Sequence, residues 1–586
     1  MLYLLDYGAG NIQSLANSLT KLGHEFAWVR TPEDIMRADA LLFPGVGSFG
    51  SAMQALSEKG FVEPLRAYIA SGRPYMGICV GMQVLFQGSD ESANAKGLGV
   101  VPARVERFST TDGAQNARKA VPHMGWSKAE LVEWGDSEAR AALGDRYGLS
   151  ASMPRHYYFV HSYRVPFCEG VRDWALATTQ YGDETFVSVV QRRNVFATQF
   201  HPEKSGQAGL ALLQAWLSRT QAEPPSARHA VPTAPTARAP TRRIVACLDV
   251  RSNDDGDLVV TKGESYDVRE RKPDASAAPV RNMGKPVELA QRYYEEGADE
   301  VAFLNITSFR DWALGDQPML SLLNVAAATI FVPLTIGGGI RDFTDPDGTF
   351  HPALNVAHAY FRAGADKVSI GSEAVYAVEQ LLSRASAARG EVMFDPADAP
   401  DAALQGDTGI EQISHKYGAQ AVVVSIDPKR VYVDADAEVP CAHAASLVSG
   451  VDERPATAGQ PARWWYQCTV KGGREARDLD AVQLARGVER LGAGELLINS
   501  IDRDGSNSGF DLQLMDLVRG SVNIPVVASS GAGCAQHFSE VFAARHSAHG
   551  APIEAALAAG IFHRREVSIA EVKTYCAQAG YDIRLD

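Results

Sequence analysis

The run Val332-Pro333-Leu334-Thr335-Ile336-Gly337-Gly338-Gly339 is echoed 192 residues later by Ile524-Pro525-Val526-Val527-Ala528-Ser529-Ser530-Gly531. Each run is apolar and closes on small residues, the pattern of a strand that ends in a tight turn. A second echo, Gly297-Ala298-Asp299-Glu300 against Gly492-Ala493-Gly494-Glu495, falls at a spacing of 195. Repeats at nearly one offset imply two similar structural halves. Apolar strands are predicted to begin near Ile244, Val301, Val332, Val368, Ala421, Leu496, Ile524 and Ala555. Most are followed by a Gly- or Asp-bearing turn and a helical segment. Eight such units in about 345 residues predict a (β/α)₈ barrel built from two half-barrels.

The chain has 586 residues, more than one hydrophobic core supports. Its first part alternates short apolar strands, at Leu2–Leu5, Ala40–Phe43, Tyr75–Ile78, Tyr157–His161 and Val195–Phe200, with amphipathic segments. That rhythm predicts a flavodoxin-like α/β domain with a largely parallel sheet. Between the two patterns lies RTQAEPPSARHAVPTAPTARAPT, rich in Ala, Pro, Arg and Thr and without periodicity. It reads as a semi-stiff linker. The expected domains are residues 1–218, a linker at 219–241 and a barrel at 242–586.

A net charge of −14 argues against nucleic acid or an anionic membrane as the main partner. No apolar run approaches a membrane span. The opening MLYLLDYGAGN reads as a first strand and a turn, not a signal peptide. Seven scattered cysteines without a paired CxxC suit a reducing compartment, taken as the cytoplasm, and no structural zinc.

Gly77-Ile78-Cys79-Val80-Gly81 joins a strand to an apolar segment, with glycines that permit a sharp turn. A thiol at such an elbow, near a helix start, is biased toward thiolate. A buried structural cysteine would also fit this motif taken alone. His201-Pro202-Glu203 follows the strand VFATQF. Residues two apart in extended chain face one side, so Glu203 is placed to orient His201. Pro44-Gly45-Val46-Gly47 follows the strand ALLF, and Gly45 and Gly47 are suited to present backbone N–H groups to an oxyanion. Together these suit hydrolysis of the glutamine side-chain amide. Cys79 attacks, His201 moves protons and Glu203 fixes the imidazole tautomer.

In the barrel, Asp249 closes RIVACLD and Asp427 closes AVVVSID, at matching strand ends of the two halves. Barrel active sites lie at that end, so the two carboxylates suit a general acid and a general base. Gly337-Gly338-Gly339 and Ser529-Ser530-Gly531 follow strands three and seven, with Gly371-Ser372 and Ala559-Gly560 after strands four and eight. Such turns cradle phosphate. Their doubling predicts a substrate with a phosphate at each end. Lys262, in VVTKG, adds positive charge near Asp249.

Residues 1–218 resemble the class I glutamine amidotransferases. Gly8-Ala9-Gly10-Asn11 and Tyr158-Phe159-Val160-His161-Ser162-Tyr163 narrow the likeness to the glutaminase of the imidazole glycerol phosphate synthase family. The segments ACLDV, IGGGIRD, ADKVSIGSEAV, SIDPKR, INSIDRDGSNSGFD and ASSGAG resemble that family's cyclase. The resemblance implies a role for Gln83 in binding glutamine and places Lys204 facing the barrel. It implies that the two domains act as an intramolecular complex and that no metal or organic cofactor is required. It also implies the reaction: ammonia from glutamine and a bis-phosphorylated formimino ribonucleotide give imidazole glycerol phosphate and aminoimidazole carboxamide ribonucleotide.

Asn305, Asn499 and Ser530 depart from the common bacterial pattern of Asp, Thr and Gly. Residues 263–286 read as a lid over the catalytic face, and 431–463 as an insertion without a derived role. Arg243, Glu300, Lys367 and Glu495 stand just before strands with alternating signs. Taken alone they fit solvated strand ends. The resemblance makes them an ammonia gate on the barrel floor, with the glutaminase docked on the N-terminal rim. Pyridoxal phosphate synthase, another glutaminase–barrel pair, needs barrel lysines where this chain has Asp249 and Asp427. A non-catalytic glutamine sensor needs none of these groups together.

Overall fold

The computed structural model describes residues 1–8, 10–113, 117–133, 137–149, 155–218, 241–252, 258–260, 285–306, 314, 318–390, 392–393, 395–433, 441–450, 462–543 and 552–585. The linker at 219–240, Lys262 and the expected lid at 263–284 lie outside these residues. Helix Pro286–Glu295 begins where that lid was expected to end.

The first domain is built on an eight-stranded sheet. Strands Phe26–Val29, Leu2–Leu5, Ala40–Gly45, Tyr75–Cys79 and Val195–Thr198 run parallel. Glu184–Arg192, Ala175–Tyr181 and Glu130–Leu131 extend it antiparallel. Tyr157–His161 does not join this sheet as its apolar run suggested. It lies within strand His156–His161, which pairs antiparallel with His123–Lys128 in a separate ribbon. The ribbon packs on both domains: Tyr157 and Phe159 lie against Phe200 of their own domain, and Trp126 Nε1 donates to the carbonyl of Asp299 in the barrel at 3.1 Å.

In the second domain eight parallel strands close a barrel: Arg243–Ser252, Glu300–Asn305, Leu334–Gly337, Lys367–Ile370, Val422–Ile426, Glu495–Asn499, Val526–Ser529 and Ala555–Ala558. Arg243–Ala246 pair with Ala555–Ala558 to complete the circle. Strands three and seven begin two residues after their predicted starts because Pro333 and Pro525 have no N–H for the ladder. Their carbonyls still accept, from Val301 and Leu496.

Alternation along the first strand sets the barrel's layers. Ile244, Ala246, Leu248 and Val250 belong to the outer core shared with the helices, whereas Val245 and Cys247 join an interior cluster with Ala302, Val423, Leu497 and Val527. Arg243 and Asp249 continue the inward face below and above. The strand therefore carries charge at the floor, apolar packing in the middle and a carboxylate at the mouth, over about 20 Å of strand.

The insertion after strand five forms a small antiparallel sheet of Pro428–Val433, Val448–Gly450, Ala462–Val470 and Glu475–Asp480. Among the described residues no helix is long and apolar enough to cross a membrane.

Candidate active sites

Cys79 ends the strand Tyr75–Cys79 with φ 52 and ψ −107, a conformation costly for a residue with a side chain. The crowding around it explains its glycines. A Cβ on Gly81 would lie 1.9 Å from the carbonyl oxygen of Phe43, and one on Gly77 would lie 2.3 Å from that of Gly81. Gly45 is the register partner of Cys79 on the next strand. The Gly45–Gly47 segment therefore runs beside the thiol, and Gly47 adopts φ +137. Tyr7 donates its hydroxyl to the carbonyl of Val46 at 2.7 Å, fixing that peptide.

His201 Nδ1 and Glu203 Oε1 are 2.7 Å apart. Extended chain would place them on one side. Instead Pro202–Lys204 form a single 3₁₀ turn that brings the carboxylate back to the ring. Burial acts to lower the His201 pKa, but Glu203 and then Cys79 outweigh it and hold it well above the usual imidazole range. Gln83 donates to Gln199 Oε1 at 3.0 Å and to the carbonyl of Tyr163 at 3.1 Å. Gln199 in turn directs its amide at Cys79 Sγ, 3.5 Å away. Sequence reasoning missed Gln199. Its signal was its place in strand VFATQF, two residues before His201.

At the barrel mouth, burial and then the nearby Asp504 push Asp249 up to about 7. Burial also raises Asp427, while hydrogen bonds from Asn499 and Ser425 oppose it. Gly338 and Gly339 adopt φ +89 and +80, and a Cβ on Gly338 would meet the carbonyl of Asn305 at 2.1 Å. Gly337 ends its strand. In the other half, Ser529 ends its strand and Gly531 adopts φ +96. Ser530 takes the left-handed φ of 72, so the departure from Gly is accommodated with backbone strain. Gly371 caps the helix Ser372–Arg389, and Ala559 caps the turn Gly560–His563. Backbone N–H groups at such starts attract anions. Ser372 Oγ accepts from the Lys471 N–H at 2.9 Å, so the tip of the insertion's hairpin reaches this cradle.

On the floor, the four alternating charges close into a buried ring. Arg243 Nη1 lies 2.9 Å from Glu300, and Lys367 Nζ lies 2.6 Å from both Glu300 and Glu495. Arg243 completes the circle by pairing with Glu495. Thr335 Oγ1 donates to Glu300 at 2.6 Å.

The first domain covers this floor. Met124 Sδ is 3.6 Å from Lys367 Nζ. The Arg584 guanidinium stacks 4.1 Å above the ring of Trp126. Lys204 Nζ lies 2.7 Å from Asp366, which also accepts from Asn11 at 2.9 Å. A small cavity sits at this junction, lined by His201, Tyr158 and Lys204 from one domain and by Asp366 and Lys367 from the other. Its room for the centre of a water-sized molecule is about 20 Å³, above the roughly 10–15 Å³ that one water requires.

Residues 3–218 match the family model described as glutamine amidotransferase class-I, and residues 243–395 and 399–568 match that of the histidine biosynthesis proteins. The chain is 50% identical over 586 residues, 99% of its length and 98% of the relative's, to imidazole glycerol phosphate synthase hisHF of Emericella nidulans. It is 51% identical over 579 residues to the protein of that name from Schizosaccharomyces pombe, covering 98% of each chain. A chloroplastic counterpart from Arabidopsis thaliana is 47% identical over 582 residues, 99% of this chain and 89% of the relative.

Proposed function

The chain belongs to the imidazole glycerol phosphate synthase family, bifunctional enzymes joining a glutaminase to a cyclase, and from that premise we propose how its residues divide the work. Cys79 attacks the side-chain amide of glutamine, and backbone N–H groups of the Gly45–Gly47 segment take the oxyanion. His201, oriented by Glu203, protonates the leaving nitrogen and then activates water, releasing glutamate and ammonia. Gln83 helps hold glutamine.

Ammonia then passes through the junction cavity, the Arg243–Glu300–Lys367–Glu495 ring and the apolar barrel interior. At the mouth it meets phosphoribulosyl formimino aminoimidazole carboxamide ribonucleotide. The substrate's two phosphates rest on Gly337–Gly339 with Gly371 and Ser372, and on Ser529–Gly531 with Ala559 and Gly560. Asp249, raised by burial to about 7 and so partly protonated near neutrality, serves as general acid, and Asp427 serves as general base. The products are imidazole glycerol phosphate and aminoimidazole carboxamide ribonucleotide.

The observation that carries this reading is the shared cavity, which His201 and Lys367 line from opposite domains. The experiment is turnover of the formimino ribonucleotide by wild type and Cys79→Ala, with glutamine or ammonium salt as nitrogen source. The variant should lose the first activity and keep the second. Glutamine-dependent turnover in the variant would overturn the reading. Scattered cysteines support a reducing compartment, and we assign the cytoplasm, although the Arabidopsis relative is named chloroplastic.

A further inference from the structure

In the first half Asp249 pairs in register with Leu304, and Val250 with Asn305. In the second half Ile426 pairs with Ile498. Asp427 and Asn499 follow, side by side at the strand ends. Asn499 Nδ2 donates to Asp427 Oδ1 at 2.9 Å and to Ser425 Oγ at 2.9 Å. Ser425 Oγ adds a longer contact to the same carboxylate oxygen at 3.4 Å. Thr469 Oγ1 holds the backbone carbonyl of Asp427 at 2.7 Å, so the residue is gripped from strands five and six and from the insertion's sheet.

We infer that Asn499 is a positioning residue for ring closure: it occupies one oxygen of Asp427 and leaves the other turned to the substrate. The inference rests on the reading that Asp427 exchanges a proton during cyclisation. The chemistry of the pair is directional. A carboxylate only accepts, so the amide must present its NH₂ group, which favours the ionised form. The other ionisable group close by is Cys468, on the insertion's strand. No charged residue is among the groups that move Asp427 from its ordinary range. The amide therefore does for Asp427 what no cation is present to do among the described residues. Asp249, by contrast, has the acidic Asp504 as its charged neighbour.

The asparagine that departs from the bacterial threonine acquires a function in this account. Its side chain is long enough to reach both Ser425 and Asp427 from the neighbouring strand.

The test uses the full chain carrying Asn499→Leu, Asn499→Asp or Asp427→Asn. Cyclisation is driven by ammonium salt, with free ammonia held constant across pH, and kcat and KM for the ribonucleotide are read separately. Asn499→Leu keeps the shape and removes the donor. It should lower kcat about tenfold and move the acidic limb of the kcat profile upward by roughly one unit, the worth of one hydrogen bond to a charged group. KM should stay within about twofold, since the substrate is held elsewhere. Asn499→Asp is isosteric and sets a second carboxylate against the first, so its limb should move further in the same direction. If Asn499→Leu fails to fold, Asn499→Asp decides alone. A wild-type limb in either folded variant, or a loss confined to KM, overturns the inference. Asp427→Asn separates the two levels. If that variant cyclises normally, the role of Asp427 itself fails. If it is inactive while both Asn499 variants keep the wild-type profile, only the role of Asn499 fails.

Discussion

Lys204 of the glutaminase and Asp366 of the barrel form an ion pair of 2.7 Å across the domain junction, with the lysine side chain 3% exposed. Lys204 follows Glu203 in the same 3₁₀ turn, and Asp366 immediately precedes Lys367. One contact therefore joins the chain that carries the imidazole's partner to the chain that carries the ring's lysine. A pair with both ends on functional segments is suited to couple them. Asp366→Ala should reduce the stimulation of glutamine hydrolysis by a ligand bound at the barrel mouth, by roughly fivefold or more. Glutamate release with and without an unreactive ribonucleotide analogue measures it. Undiminished stimulation would remove this pair from the coupling route.

Lys367→Ala should disturb the floor more directly. It leaves Arg243 facing two glutamates in a buried site, and breaking a buried ion pair commonly destabilises by about 3–5 kcal/mol. With the ring open to the junction, less ammonia should be captured per glutamine hydrolysed. Glutamate and imidazole glycerol phosphate measured together give the ratio. A ratio equal to wild type means that the ring does not control passage.

Asp249 links stability to pH. Its folded pKa of about 7 exceeds the ordinary 3.8 because burial disfavours the carboxylate. Between those values the folded chain binds the proton more tightly than the unfolded chain. Stability therefore declines as pH rises through that window, and the full penalty is present above about 7. Asp249→Asn should be more stable than wild type at pH 8, by on the order of a few kcal/mol, with the difference vanishing below about pH 4. The same variant should lose cyclisation with either nitrogen source. Thermal unfolding across that pH range tests the first part, and equal shifts at every pH would contradict it.

Much of the fold was readable because its determinants are local. The strands of the barrel announce themselves as apolar runs, and the proline at the head of strands three and seven marks a ladder that starts late. The elbow around Cys79 was readable because Gly77 must clear Gly81 in the same turn, although Gly81 itself must clear Phe43 on the neighbouring strand. Taken alone, the four charges of the ring read as solvated strand ends, and only the family resemblance joined them into a gate, since no local rule says that residues 243 and 495 touch. What escaped involves longer reach. Gln199 and Asn499 look like ordinary polar strand residues until register sets them beside Cys79 and Asp427. Strand His156–His161 reads like any core strand because Tyr157 and Phe159 pack on Phe200 and Phe186 of the same domain, although it pairs with His123–Lys128 in a separate ribbon. The insertion's sheet pairs Pro428–Val433 with Ala462–Val470, far apart in sequence, so its partners are invisible to periodicity.

The central claim is that ammonia made at Cys79 reaches the barrel mouth without entering solvent. It is tested by supplying glutamine labelled with ¹⁵N at the side-chain amide together with excess unlabelled ammonium at neutral pH. The label in imidazole glycerol phosphate is then measured. Internal passage predicts that the incorporated nitrogen is almost entirely from glutamine, and that Lys367→Ala dilutes it. Label diluted in wild type to the proportion present in bulk solution would contradict the account.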